Sequence, residues 1–218
     1  MYKIILIILI LCLLVYSNLY ANKSEYFTNL NKETCNKTPV YNPSKWTDDF
    51  FVQNSHNCYA YALDDIDKNR RNVCKKIYPV KNTCVSLRPR PGTQAKFKLP
   101  FTERMTCEGL ERSILEDNKD IYRLNSGEEK CKSCYYKIAF AVQPQRTYHF
   151  YRQDSDGTWS HKDAGMKPTQ LDASNNTISD PKDADRKYKH ANYKDFCGYL
   201  CVPENHHRKT RIKAFRHI

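Results

Sequence analysis

The sequence predicts an α+β domain in which helices pack on an antiparallel β-sheet and disulfides hold the elements together. Three observations support this prediction. An amphipathic helical pattern over residues 106–118 precedes stretches rich in β-branched and aromatic residues. The chain has 218 residues, which suits one domain with its own apolar core. Nine of its 10 cysteines follow an apolar N-terminus, a combination typical of disulfide-stapled proteins from oxidising compartments.

The first 21 residues have the pattern of a secretory signal. Lys3 precedes an apolar run over residues 4–15, which polar Ser17 and Asn18 interrupt. A membrane span needs about 20 apolar residues, and this run is shorter. We predict a cleaved signal over residues 1–21, with an uncleaved membrane anchor as the alternative, then a domain over 22–204 and a basic tail over 205–218. Both alternatives predict a secreted or extracytoplasmic domain, and glycosylation triplets at Asn22, Asn36 and Asn175 agree with them.

The cysteine count predicts one free thiol. Without Cys12, which lies in the signal, nine cysteines remain, and an odd number in a secreted protein implies intermolecular pairing or a reactive thiol. We expect Cys58 to be the free one. The expected bridges are Cys74–Cys84, Cys131–Cys134, Cys197–Cys201 and Cys35–Cys107. An alternative, which the secretory signal disfavours, is a zinc site formed by the thiolates of Cys131, Cys134, Cys197 and Cys201.

The net charge of +12 and the pI near 9.2 predict an anionic partner, such as a membrane surface, a cell-wall or surface polymer, or a glycan. Specific nucleic-acid binding is not expected, because the chain has no motif for it and begins like a secreted protein.

Cys58 lies where an Asn- and Ser-rich turn gives way to a short run with helical apolar content. This predicts a cysteine at a helix N-terminus, where unpaired N–H groups and the helix dipole lower the pKa of a thiol. Cys58 is therefore a candidate nucleophile, although a disulfide or a buried small side chain is the alternative. His56, two residues earlier, is expected to cap the turn.

The segment after Cys58 is predicted to be helical as far as Asp67 and then to form a loop. The basic run over residues 68–71 marks the start of that loop, and residues 73–92 are rich in turn signals. Pro91 and Gly92 end it in a turn. Two interpretations are open for Arg88 and Arg90 beside this turn: their side chains contact an anionic group, or they are solvated charges at the surface.

The second half of the chain predicts one helix and a sheet. Leu110, Ile114 and Leu115 form the apolar stripe of the helix over residues 106–118. Residues 135–142 predict a central strand, residues 147–153 and 158–162 a hairpin, and residues 195–203 a last strand. Residues 164–194 are expected to be a surface excursion.

The hairpin turn determines which polar residues share a face. A type I turn with Gly157 in the left-handed region pairs Asp154 with Thr158. His149, His161 and Asp163 then lie on one side of the sheet. A two-residue loop would instead place the two histidines on opposite faces.

A thiol nucleophile needs a base within reach, and the base needs an orienting group. Cys58, His149 and His161 occur in that order along the chain. The sequence here resembles the papain-like cysteine peptidases and amidases of the NlpC and CHAP type. The resemblance rests on Cys58-x-x-Tyr61-Ala62, on Pro91-Gly92 as the Pro-Gly turn of that family, and on a histidine early in a strand with a polar residue 12 positions later.

The resemblance implies a papain-like fold and a hydrolase that cleaves an amide or peptide bond without a metal or cofactor. Cys58 would attack the carbonyl carbon, and His149 would act as base and then acid. His161 would orient His149, and Asp163 is the alternative orienting residue. Gln53 or Asn54 would assist the backbone N–H of Cys58 in binding the oxyanion, unless they only cap the turn. The alternative function is an inactive, disulfide-rich binding module with an anionic partner.

Overall fold

The computed structural model describes residues 10, 12–20, 35 and 38–204. The chain divides into two units, residues 1–37 and 38–218. Residues 12–20 of the first unit are helical, and no helix within the described residues is long and apolar enough to cross a bilayer. Much of the expected signal or anchor over residues 1–21, the triplets at Asn22 and Asn36, and the expected basic tail over 205–218 lie outside the described residues.

Six helices precede the sheet in the described part of the second unit, and polar side chains begin most of them. Asp49, Asn57, Asp67 and Thr106 each accept a backbone N–H from the first turn of the helix that follows. The helices are α1 (Ser44–Thr47), α2 (Phe50–Ser55), α3 (Cys58–Ala62), α4 (Lys68–Lys81), α5 (Phe101–Arg104) and α6 (Cys107–Asp117), with a 3₁₀ turn at Val85–Leu87.

The expected loop over residues 68–71 is wrong, because these residues form the first turn of α4. The carboxylate of Asp67 accepts from the backbone N–H groups of Asn69 and Arg70 at 2.8 and 3.2 Å, which starts a helix despite the run of positive charge. Helix α3, in contrast, ends at Ala62 rather than at Asp67. The bridge Cys74–Cys84, predicted from the sequence, joins α4 to the segment after it.

The sheet has five antiparallel strands in the order β1-β5-β2-β3-β4. The α+β class with an antiparallel sheet is therefore confirmed. The strand β2 lies between β5 and β3 and is buried along most of its length, as the sequence predicted. The strands are β1 (Tyr122–Arg123), β2 (Tyr135–Gln143), β3 (Thr147–Gln153), β4 (Trp159–Ser160) and β5 (Asp195–Pro203).

Both faces of the sheet are covered. Helices α3 and α6 pack on one face, where Leu110 and Ile114 are fully buried, which confirms the predicted stripe of α6. The second apolar cluster, formed around Tyr151 and Trp159, includes Ile178. Ile178 belongs to the expected surface excursion, so part of that segment contributes to the core.

Two disulfides join β5 to distant segments, Cys107–Cys197 and Cys131–Cys201. The expected bridges Cys131–Cys134, Cys197–Cys201 and Cys35–Cys107 are therefore wrong. Four residues along a strand span about 13 Å, which is too far for a disulfide.

A bulge also separates the two cysteines of β5, because Phe140 pairs with Gly198 and Ala141 with Phe196, which leaves Cys197 as the extra residue. Gly198 has a φ of 123° there. Cys35 and Cys134 are disulfide-bonded as well, so the four sulfurs considered for zinc are all oxidised.

Candidate active site

The hairpin between β3 and β4 has the predicted register. The backbone N–H of Asp154 donates to Thr158 O at 2.8 Å, and that of Gly157 donates to Asp154 O at 2.9 Å. Gly157 has a φ of 85°, in the left-handed region that the predicted turn requires. Arg152 consequently pairs with Ser160 along the strands. His149 and His161 therefore lie on the same face of the sheet.

His149 and His161 form a hydrogen-bonded relay that ends on a backbone carbonyl. His149 Nε2 lies 2.8 Å from His161 Nδ1, and His161 Nε2 lies 2.9 Å from Leu171 O. Because a carbonyl only accepts, His161 Nε2 must bear a hydrogen, and its Nδ1 is then the acceptor in the neutral ring. His149 Nε2 must therefore donate. In the neutral state this leaves Nδ1 of His149 unprotonated, the tautomer that a base requires.

Both rings are held in the neutral form. His149 is 1% exposed and His161 2% exposed, and burial lowers the pKa of each imidazole below its usual value of 6.5. The neighbouring rings of His161 and His190 lower the pKa of His149 further. The ring of Tyr193 stacks on that of His149 with centroids 4.9 Å apart, which fixes its orientation.

Cys58 is the first residue of α3 and remains a free thiol, as the cysteine count predicted. Its sulfur accepts a hydrogen bond from the backbone N–H of Phe150, the residue that follows His149 on β3. Asn57 Oδ1 caps the helix by accepting from Ala60 N at 3.3 Å. The nucleophile candidate and the base candidate thus come from two packed elements, α3 and β3.

The expectation of a lowered thiol pKa at Cys58 is wrong. Burial raises the pKa of Cys58 to about 12, and the carboxylate of Asp163 adds to the rise. Hydrogen bonds from Phe150 and Tyr59 and the positive charge of Lys162 act in the opposite direction. Since α3 has only five residues, its dipole is small, and desolvation of the thiolate outweighs it.

The buried side chain of Lys162 stabilises the turn that leads into Cys58. Lys162 Nζ donates to the carbonyl oxygens of Gln53, His56 and Ala164 at 2.9, 2.8 and 2.6 Å. Burial lowers the pKa of Lys162 to about 7, with a further lowering by Arg88.

His56 braces the same turn, as expected. Its Nε2 accepts from Asp67 N at 3.0 Å, so its Nδ1 donates to Val52 O at 3.0 Å. Burial lowers the pKa of His56 to about 4, which keeps this tautomer neutral.

Three other predicted site residues have partners away from the thiol. Gln53 Nε2 donates to Gly165 O, and Asn54 Nδ2 donates to Phe50 O, both at 2.9 Å. Neither residue lines the cavity beside Cys58. The Asn54 bond is local to α2, whereas Gln53 binds a distant segment of the chain instead of capping its own turn. Asp163 does line it, and its carboxylate lies 3.0 Å from His190 Nε2 rather than pairing with His149.

A cavity of about 560 Å³ brings Cys58 and His149 to one surface. Pro91 lines it beside the predicted Pro-Gly turn, where Gly92 has a φ of 87° and donates its N–H to Asp117 Oδ2 at 2.7 Å. The sequence interpretation missed most of the wall, which includes Tyr148, Tyr193, His190, Arg104 and Arg146. Part of this wall comes from residues 164–194, which were expected to be a surface excursion. The aromatic residues in segment 188–193 were the one feature of the sequence that could have indicated this contribution.

The arrangement places a thiol and an imidazole on the lining of one cavity. A neutral imidazole in the acceptor tautomer and a protonated thiol border the same cavity, and the relay behind the imidazole can stabilise its protonated form. Within the described residues, no three or more His, Cys, Asp or Glu side chains are grouped in a way that would hold a metal ion.

Comparison with known proteins shows a similar protein that is named as a shell protein. The chain is 45% identical over 162 residues to a protein of Ruditapes philippinarum named insoluble matrix shell protein 1. The aligned segment covers 74% of this chain and 88% of the relative. No family model matches the chain, and no solved structure matches it. The eight disulfide-bonded cysteines are consistent with an extracellular location.

Proposed function

The chain belongs to the family of insoluble matrix shell protein 1, and on that premise we propose that it is a secreted, papain-like cysteine hydrolase of an extracellular matrix. Its reaction is the cleavage of an amide or peptide bond at Cys58. The N-terminal segment directs secretion, and if uncleaved it tethers the enzyme to the membrane.

The relay behind His149 is the observation that supports this proposal most. Two hydrogen bonds leave Nδ1 of His149 as the unprotonated nitrogen, which is the form that a base requires. The same residue lines a cavity together with Cys58, the sole free thiol among the described residues of the folded unit. A thiol, a base and an orienting group are the three parts that nucleophilic catalysis by cysteine requires.

The proposed reaction begins with a neutral pair, because the pKa of Cys58 is raised and that of His149 is lowered. His149 Nδ1 takes the thiol proton as sulfur attacks the carbonyl carbon, and Nε2–H continues to donate to His161. The C–N bond then breaks, and His149 returns the proton to the leaving amine. Water, deprotonated by His149, hydrolyses the thioester and restores the thiol.

The oxyanion of the intermediate needs fixed donors. The backbone N–H of Cys58 is one. The hydroxyl of Tyr148 is proposed as the second, in place of Gln53 and Asn54, because Tyr148 lines the cavity and Cys58 acts on it electrostatically. Burial raises the pKa of Tyr148, so its hydroxyl keeps the proton that an oxyanion would accept in a hydrogen bond.

A second candidate is a structural module without catalysis. The low exposure of Cys58, 6%, and its raised pKa favour this alternative, as does a relative whose name describes insoluble matrix material. In that case the folded unit would be a disulfide-stapled component that binds an anionic partner.

The test is hydrolysis by the oxidised, purified protein on a mixture of synthetic peptides, with products identified by mass spectrometry. We expect wild type to cleave, Cys58→Ser to be inactive, and His149→Ala to be slower by about 10²–10⁴-fold, the usual contribution of a general base. Thermal unfolding of each variant controls for folding. Cleavage that is unaffected by Cys58→Ser, or its absence in wild type, would leave the structural module as the function.

A further inference from the structure

The cavity beside Cys58 is strongly basic. Its lining includes the side chains of Arg88, Arg90, Arg104 and Arg146. A single carboxylate, that of Asp163, lines the same cavity, and His190 already engages it at 3.0 Å. A substrate that enters therefore meets four arginines and one carboxylate, which His190 contacts.

Most arginines elsewhere in the described residues form an ion pair, and the four cavity arginines do not. Arg71, Arg112, Arg123 and Arg152 each pair with a carboxylate of the chain. Within residues 38–204, by contrast, none of the four cavity arginines forms an ion pair. Four of the five arginines without an ion pair in residues 38–204 thus line this cavity, and the fifth, Arg186, donates to backbone carbonyl oxygens elsewhere.

The cavity arginines are placed close to the reacting groups. Arg88 is held by a hydrogen bond from its Nε to Asn54 O at 3.1 Å, and it interacts electrostatically with Cys58. Arg90 and Arg104 both act on the hydroxyl of Tyr148. Arg90 and Arg146 are exposed, so their guanidinium groups are accessible to a ligand.

We propose that the substrate of this site is an acidic peptide, with aspartate or glutamate side chains flanking the amide that Cys58 attacks. The inference rests on the proposed function and names its substrate class. A guanidinium binds a carboxylate through two parallel N–H···O bonds, and the partly enclosed cavity strengthens such pairs relative to open solvent. An uncharged or basic peptide would leave the four arginines unpaired or repelled.

Binding to the inactive variant Cys58→Ser tests the inference without any turnover. The probes are two fluorescent peptides of equal length, one with Asp and Glu residues and one with Asn and Gln at the same positions. We expect the acidic peptide to bind about tenfold more tightly or better at low ionic strength, with the preference falling as salt increases. Adding Arg90→Gln and Arg104→Gln should remove most of the preference.

The matched control removes the same charge elsewhere. Lys75 and Lys76 are exposed on α4, outside the cavity lining, so Lys75→Gln with Lys76→Gln should leave the preference intact. Equal binding of the two peptides, or equal loss of preference in the cavity and α4 variants, would overturn the inference. A sulfated polysaccharide that binds this cavity more tightly than the acidic peptide, and is not displaced by it, would overturn it too.

Turnover by wild type separates this inference from the proposed function. Preferred cleavage of acidic peptides supports both. Cleavage of neutral and acidic peptides at the same kcat/KM keeps the hydrolase and rejects the acidic substrate. Specific binding of acidic peptides by a wild-type protein that cleaves none supports the ligand class and rejects the hydrolase.

Discussion

In the proposed reaction Cys58 requires a base at the moment of attack, because its resting state is a buried neutral thiol. An enzyme with a preformed thiolate would need a lowered thiol pKa, whereas burial raises that of Cys58 to about 12. In this proposal the thiol is activated by the base His149 and its hydrogen bond to His161, because the helix N-terminus does not lower the thiol pKa. At the scale of single residues, the proposed reaction thus depends on the tautomer of His149 more than on the acidity of Cys58.

The role of His161 predicts a difference between two substitutions. His161→Phe removes the acceptor for His149 Nε2–H, so kcat should fall by about 10²-fold with little change in KM. His161→Asn places an amide oxygen near the former Nδ1 and should recover much of the loss. The measurement is steady-state hydrolysis with unfolding controls. Equal activity of the Phe and Asn variants would mean that His161 only fills space.

Lys162 predicts a loss of stability rather than of chemistry. Lys162→Met leaves three buried carbonyl oxygens without their donor and should lower the free energy of unfolding by about 3 kcal/mol or more. Lys137, also buried, donates to the single carbonyl of Gly127, so Lys137→Met is the matched control and should cost less. Denaturant unfolding measures both. Equal losses would contradict the bracing role of Lys162.

The free thiol of Cys58 and the contact between His149 and His161 were easier to predict than the side chains around them. Cys58, His149 and His161 could be identified because cysteine parity, strand alternation and turn chemistry act locally. Lys162 could not, since nothing in the sequence indicates that its amine turns inward to three carbonyls. The positions of Tyr148 and Tyr193 in the cavity wall could not be predicted either, because an aromatic residue in a strand or loop is usually only part of the core.

At the scale of elements, the β3–β4 hairpin was predictable and α4 was not. The sequence Asp-Ser-Asp-Gly over residues 154–157 restricts the turn so strongly that the register follows from it. The basic run at residues 68–71 suggested a loop, yet Asp67 caps it as a helix. The side-chain cap, and not the run of positive charge, determines that these residues form a helix.

The turn predicts a graded effect at Gly157. Gly157→Val forces a β-branched residue to a φ of 85° and should cost about 1–2 kcal/mol, although a Cβ there would meet no atom within 4 Å. Gly157→Asn should cost less, because asparagine tolerates the left-handed region. Denaturant unfolding provides the comparison. A neutral Gly157→Val would mean that the turn does not depend on this conformation.

At the scale of the whole molecule, two disulfides join segments far apart in the chain to β5. Their partners could not be predicted, because the bulge at Gly198 reverses the face on which Cys197 lies. The covering segment of residues 164–194 was also missed as part of the site. It has no regular hydrophobic period, and its packing follows from the sheet it meets rather than from its own pattern.

The bridges predict unequal contributions to stability. Cys107–Cys197 spans 90 residues and Cys74–Cys84 spans 10. The loop-entropy model gives about 4.5 kcal/mol for the longer bridge and about 3 kcal/mol for the shorter. Replacing each pair by alanine and measuring unfolding without reductant should reproduce that order. The reverse order would show that loop entropy does not determine the stabilisation here.

Alkylation of Cys58 as a function of pH tests most directly whether His149 activates the thiol. The oxidised protein is treated with iodoacetamide, and the modified peptide that contains Cys58 is quantified. Because the neutral form of His149 is the base and its pKa lies well below 6.5, wild type should react at a steady rate through neutral pH and lose reactivity only at lower pH. In His149→Gln the rate at pH 7 should fall by about 10²–10⁴-fold and rise only toward the thiol pKa of about 12. Equal rates and the same pH profile in the two proteins would contradict the account.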